Sequence, residues 1–143
     1  MKRIVIDASV VLKWYLSDEE HEEKALDILD GHASDHFSLL APALLEFEVA
    51  NGLTIAKRRA RVGNDDVLKA MDGFTGLGIG LYPLSPLFRK VLNYSDKYNI
   101  SAYDAAYVAL ADDLKTQLVT ADKRLLNSTR KLKLVKWIGD FQI

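Results

Sequence analysis

The chain has 143 residues, 49% of them hydrophobic and 27% charged, with 19 Lys and Arg against 20 Asp and Glu for a formal net charge of -1. That length suits one domain with its own core, and the near-neutral charge excludes bulk attraction to nucleic acid or anionic membranes, so any such binding must come from local patches. With no cysteine, disulfide frameworks, thiolate zinc sites and cysteine nucleophiles are excluded, and a metal would sit on oxygen or imidazole.

The first predicted element is the apolar run Arg3 to Ile6, a strand that stops on a carboxylate, Asp7. "SVVLKWYL" follows as a short helix for which Asp7 is a ready N-cap. Ser17 and Glu20 have capping-box spacing, so "SDEEHEEKALDILDG" reads as a helix that ends before Gly31. A second strand is expected at Ser38 to Ala41. Pro42 then starts a long helix, "ALLEFEVANGLTIAKRR", and a further helix covers Asp65 to Met71. The third strand is Ile79 to Tyr82, and "SPLFRKVLNYSDKY" forms a helix with Pro86 near its first turn. "SAYDAAYVALADDLK" is the most regular helix, with Tyr103, Ala106, Tyr107, Leu110 and Leu114 as its buried stripe. Strands at Gln117 to Thr120 and Leu134 to Trp137 complete the series. No linker or repeat divides it, so one domain over residues 1–143 is expected. The alternation predicts an α/β fold whose crossovers make the sheet mainly parallel.

In such sheets ligands gather outside the carboxyl ends of the strands. Asp7 and Asp122 both stand there, because "QLVTADKRL" repeats the pattern of an apolar run followed by an acid. Glu48 projects, at ~100° per residue, into the arc made by Leu44, Leu45, Val49, Leu53, Ile55 and Ala56, while Glu46 projects to the side of Lys57. A carboxylate on a core-facing arc needs a partner or a metal. Asn51 lies one turn on from Glu48. Asp104 sits three residues after Ser101, at capping-box spacing, yet borders the buried stripe and can point into a crevice. By contrast, His32 and His36 are spaced i, i+4 but follow Gly31, outside a helix. "GLGIG" lacks the helix a dinucleotide loop needs, and "SDEEHEE" reads as an acidic first turn. The basic run "KRLLNSTRKLKLVK" begins directly after Asp122, with Lys123 and Arg124 the first candidates for phosphate contacts.

Taken in order, "VIDAS", "LLEFEVAN", "SAYDAAYVALA" and "LVTADKRL" resemble the PIN-domain family, in particular the VapC-type ribonuclease toxins of toxin-antitoxin pairs. The resemblance covers nearly the whole chain. It implies a three-layer α/β/α sandwich around a mainly parallel sheet, and a divalent-metal-dependent endoribonuclease. Asp7, Glu48, Asp104 and Asp122 are the implied catalytic and metal-binding acids, supported by Ser9, Asn51 and Thr120. An all-oxygen donor set suits Mg²⁺ or Mn²⁺, and attack by water would leave 5′-phosphate and 3′-hydroxyl ends. The family further implies an RNA substrate, a homodimer and a VapB-like antitoxin that brings a cation to the acids; Trp14 and Tyr15, large and amphipathic on the helix after Asp7, are the expected contacts for it. No stretch approaches the ~20 apolar residues of a membrane span, and a cytoplasmic protein without a targeting segment is expected. Two other readings stay open on the residues themselves: a non-catalytic RNA- or protein-binding module whose acids are only caps, and a Mg²⁺-dependent phospho-receiver or phosphohydrolase. A receiver would want a second acid beside Asp7 and a Lys after a late strand, which "IDAS" and "LVTAD" do not supply.

Overall fold

The computed structural model describes residues 2–16 and 20–142. Five strands, β1 (Lys2–Ile6), β2 (Phe37–Pro42), β3 (Gly80–Tyr82), β4 (Gln117–Thr120) and β5 (Val135–Trp137), form one sheet in the order β3-β2-β1-β4-β5. Every pairing is parallel, as crossover connections through helices require. The helices are α1 (Ala8–Tyr15), α2 (Glu22–Ala33), α3 (Leu45–Arg58), α4 (Asn64–Thr75), α5 (Phe88–Tyr98), α6 (Ala102–Asp113) and α7 (Lys123–Ser128). Right-handed crossovers put α1 to α4 over one face and α5 to α7 over the other. The packing agrees: α1 contacts α2 and α3, α3 contacts α4, and α5 contacts α6. This is a three-layer α/β/α sandwich.

The chain leaves β1 toward one face and β4 toward the other, although the two strands are neighbours with Ile6 opposite Val119. That divergence is the switch point at which α/β sheets open a crevice. The core beneath is closed by Ile4, Val5 and Ile6 of β1, Leu118 and Val119 of β4, and Val10 and Val11 of α1, all 1% exposed or less.

Several elements depart from the expectations of sequence. Helix α2 does not stop before Gly31 but runs to Ala33. Gly31 is there for close approach: a Cβ on it would stand 2.3 Å from the Phe37 ring. The helix begins at Glu22, after His21 in the left-handed region, and Ser17 of the expected capping box lies outside the described residues. Pro42 starts no helix. It ends β2, paired with Tyr82, and α3 begins at Leu45. Ile55 is 37% exposed rather than part of the α3 core face, and Tyr103 is 67% exposed rather than part of the α6 stripe. In α6 the whole run Ala105 to Ala111 is buried, because small alanines let a helix pack on several sides at once. Helix α4 extends to Thr75 so that Phe74 is buried, 3% exposed.

Candidate active site

Each of the four acids reaches the carboxyl edge on a different element. Asp7 follows β1 directly and caps α1, accepting from the Ser9 N–H at 3.1 Å. The Ser9 hydroxyl donates to the same oxygen, Oδ1, and the Thr120 hydroxyl donates to Oδ2 at 2.5 Å. Asp7 is 6% exposed, and burial pushes its carboxyl up to about 6, against the pull of the two hydroxyls and with a further push from the charge of Asp122. Asp122, two residues past β4, caps α7 by accepting from the N–H groups of Arg124 at 2.9 Å and Leu125 at 3.4 Å. The Ser9 and Thr120 hydroxyls also accept from the backbone N–H groups of Ala121 and Asp122, at 2.9 and 3.1 Å. The two loops are thereby stitched together.

Glu48 sits in the first turn of α3. The phenol of Tyr107, itself 1% exposed, donates to its Oε1 at 2.5 Å. Burial raises the Glu48 carboxyl, the Tyr107 bond lowers it, and the charge of Asp104 raises it again. Asp104 lies in the first turn of α6, whose cap Ser101 accepts from the Asp104 N–H at 3.0 Å. Its carboxyl is raised by burial and by Asp122, and drawn down by the guanidinium of Arg124. Burial and the charges of Glu48, Asp7 and Asp104 hold Tyr107 protonated well above the usual phenol range. The acids therefore form one electrostatically coupled set: Glu48 feels Asp104, and both Asp104 and Asp7 feel Asp122. Among the described residues no three acidic or histidine side chains stand close enough to hold one ion as they lie.

Of the supporting residues, Ser9 and Thr120 touch Asp7 directly, while Asn51 is exposed and lines a cavity with Glu48, Phe47 and Tyr103. Arg124 lines a cleft together with Asp104; Lys123 is exposed and is not part of that lining. Sequence reading missed the role of Tyr107, taken only as core. Its spacing of i+3 from Asp104, on the same side of a helix, was the available signal. His32 is bound elsewhere, with Nδ1 accepting from the Leu39 N–H at 3.1 Å and Nε2 bonded to the Leu77 carbonyl at 2.8 Å.

The PIN domain model matches residues 4–131. The chain belongs to the PIN domain family. All four acids lie inside the matched span. The VapC ribonuclease Mb0985 of Mycobacterium bovis is 37% identical to this PIN domain over 122 residues, covering 85% of this chain and 87% of the relative. Ribonuclease VapC3 of Pyrobaculum aerophilum is 27% identical over 127 residues, covering 86% and 92%. Among solved structures, PAE2754 from Pyrobaculum aerophilum superposes with a TM-score of 0.68 at 22% identity, covering 96% of this chain and 85% of that one. Mycobacterium tuberculosis VapC20, a sarcin-ricin loop cleaving toxin, gives 0.63 at 14% identity, covering 88% and 95%. At those identities the two structures speak for the fold.

Proposed function

We propose that the chain is a VapC-type endoribonuclease that hydrolyses RNA phosphodiester bonds with a divalent cation, Mg²⁺ or Mn²⁺, held by Asp7, Glu48, Asp104 and Asp122. The observation that supports it most is the coupling of four carboxylates, from four different elements, at the switch point of a parallel sheet. Their donor set fits such an ion: it is all oxygen and contains no thiolate or imidazole. Burial first, and then repulsion, hold three of the carboxyls above their ordinary range, and a cation would offset both by favouring the charged forms. Bound there, the ion supplies an activated water and offsets charge at the phosphate. The chain's own groups do the rest. Ser9 and Thr120 fix the orientation of Asp7, and Tyr107 fixes Glu48. Water adds to phosphorus as the bond to the 3′ oxygen breaks, leaving 5′-phosphate and 3′-hydroxyl ends.

The partners follow the same reading. Phe47 is 81% exposed and Tyr103 67%, and beside them lies an apolar groove lined by Leu44, Tyr82, Leu84, Leu87 and Val91. Such a face is suited to a second copy in a homodimer. A VapB-like antitoxin would bring a cation to the acids. Trp14 is a weaker seat for it than sequence implied, because its indole N–H donates inward to the Ala25 carbonyl at 2.7 Å. The groove of Leu12, Leu16, Ile55 and Ala56, which reaches the site at Ser9 and Ala121, offers the apolar floor instead. The described residues contain no helix long and apolar enough to cross a membrane, and a cytoplasmic location accords with an RNA substrate.

The test is a set of single variants assayed on RNA with Mg²⁺ or Mn²⁺. Asp7→Asn, Glu48→Gln, Asp104→Asn and Asp122→Asn should each abolish cleavage in a folded protein, with Glu46→Gln as the active control. Wild-type cleavage by two of the four would refute the site.

A further inference from the structure

The site's own residues do not account for a trough that leaves it past Asp104. Its inner part, of about 290 Å³, is lined by Asp104, Arg124, Ser101, Asn99 and Ser128. Its outer part, of about 680 Å³, is lined by Lys97, Tyr98, Asn127, Arg130 and Lys131, and again by Asn99 and Ser128. The shared residues make the two parts adjoin. Asn99, in the left-handed conformation that ends α5 (φ 52°), and Ser128, at the end of α7, form the neck between them.

The charge along this trough is one-sided. Beyond Asp104 no carboxylate lines it, while Arg124, Lys97, Arg130 and Lys131 do. Among the described residues no salt bridge joins Lys97, Arg130 or Lys131 to a carboxylate, while Arg124 faces Asp104 and draws its carboxyl down. Lys97 rests 5.6 Å from the centre of the Tyr98 ring, and the Arg130 guanidinium donates to Asn127 Oδ1 at 2.8 and 3.2 Å. Both interactions hold a cation in place without cancelling it. In a chain of net charge -1, three cations without a carboxylate partner, leading away from Arg124 along adjoining hollows, make a local anion path.

We propose that this trough is the track of the RNA backbone on one side of the scissile phosphate. Arg124 meets the phosphate next to the carboxylates, and Lys97, Arg130 and Lys131 meet those farther out. The inference rests on the ribonuclease reading and extends it from the bond that is cut to the strand that carries it. A single strand is the form that fits, since its backbone can bend into a channel and each phosphate neutralised adds a salt dependence of its own.

The experiment uses the full chain carrying Asp7→Asn, without metal, and a short fluorescent single-stranded RNA titrated at several salt concentrations. The combined variant Lys97→Ala, Arg130→Ala, Lys131→Ala should weaken binding at least tenfold at low salt and reduce the slope of log affinity against log salt by about 2, from ~0.7 per phosphate contact. A charge-matched control, Lys2→Ala, Lys69→Ala, Lys115→Ala, removes three exposed cations that line neither part of the trough and should leave the slope unchanged. An unchanged slope in the track variant, or equal losses in both, would overturn the track. Cleavage by chains with Asp7 intact separates the two levels. If the wild type cuts RNA and the track variant cuts it with the same KM, the track alone fails. If the wild type cuts no RNA, the ribonuclease reading fails, and the binding slopes still decide the track.

Discussion

Asp7 is where the physical conflict of this molecule is concentrated. Its carboxyl stands at about 6 in the folded chain, above the ~3.9 of an unfolded one, so the folded state binds the proton more tightly. The stability tied to this group is therefore complete below about pH 4 and is lost as pH rises through about 6, with a total of about 3 kcal/mol. Asp7→Asn escapes that loss and keeps an N-cap residue. In EDTA the variant should exceed the wild type by about 3 kcal/mol in denaturant unfolding at pH 8, and the gap should close by pH 4. A second prediction belongs to Tyr107. Removing only its hydroxyl, in Tyr107→Phe, takes away the bond that orients Glu48 and should weaken Mn²⁺ binding about tenfold, the usual scale for a group that positions a metal ligand, as read by calorimetry on the purified chain. Full wild-type affinity would mean that Glu48 needs no such support.

At the scale of elements, the strands and the order of helices were legible because short apolar runs, as parallel strands buried on both faces require, alternate with longer amphipathic stretches of period 3.6. What escaped were the places where packing overrides local pattern. Gly31 reads as a helix stop, yet α2 passes through it because the Phe37 ring needs the room a side chain would take. Gly31→Ala should therefore destabilise the fold by about 1–3 kcal/mol despite the better helix propensity of alanine, a loss measurable by urea unfolding. Tyr103 reads as core by spacing, yet α6 buries its alanines and leaves that ring outside. The four acids were found from position and motif together: strand ends for Asp7 and Asp122, a helix projection for Glu48, a helix start for Asp104. That β1 and β4 are neighbours, and that Tyr107 crosses from α6 to α3, are tertiary facts with no one-dimensional signature.

For the whole molecule, the exposed aromatic face and the cationic trough are separate surfaces, and on the proposed reading the first would take a partner and the second a substrate. Phe47 and Tyr103 carry exposed apolar area that a second copy would cover. The double variant Phe47→Glu, Tyr103→Glu should shift the mass found by light scattering from that of two chains to that of one. A dimer that survives it would place the interface elsewhere.

The central claim, hydrolysis by water at a carboxylate-held cation, is tested most directly by the ends of the RNA it produces. The purified chain with Mn²⁺ should yield fragments bearing 5′-phosphate and 3′-hydroxyl groups, with cleavage abolished by EDTA and restored by added Mn²⁺. Fragments ending in a 2′,3′-cyclic phosphate, or cleavage that persists in EDTA, would contradict it.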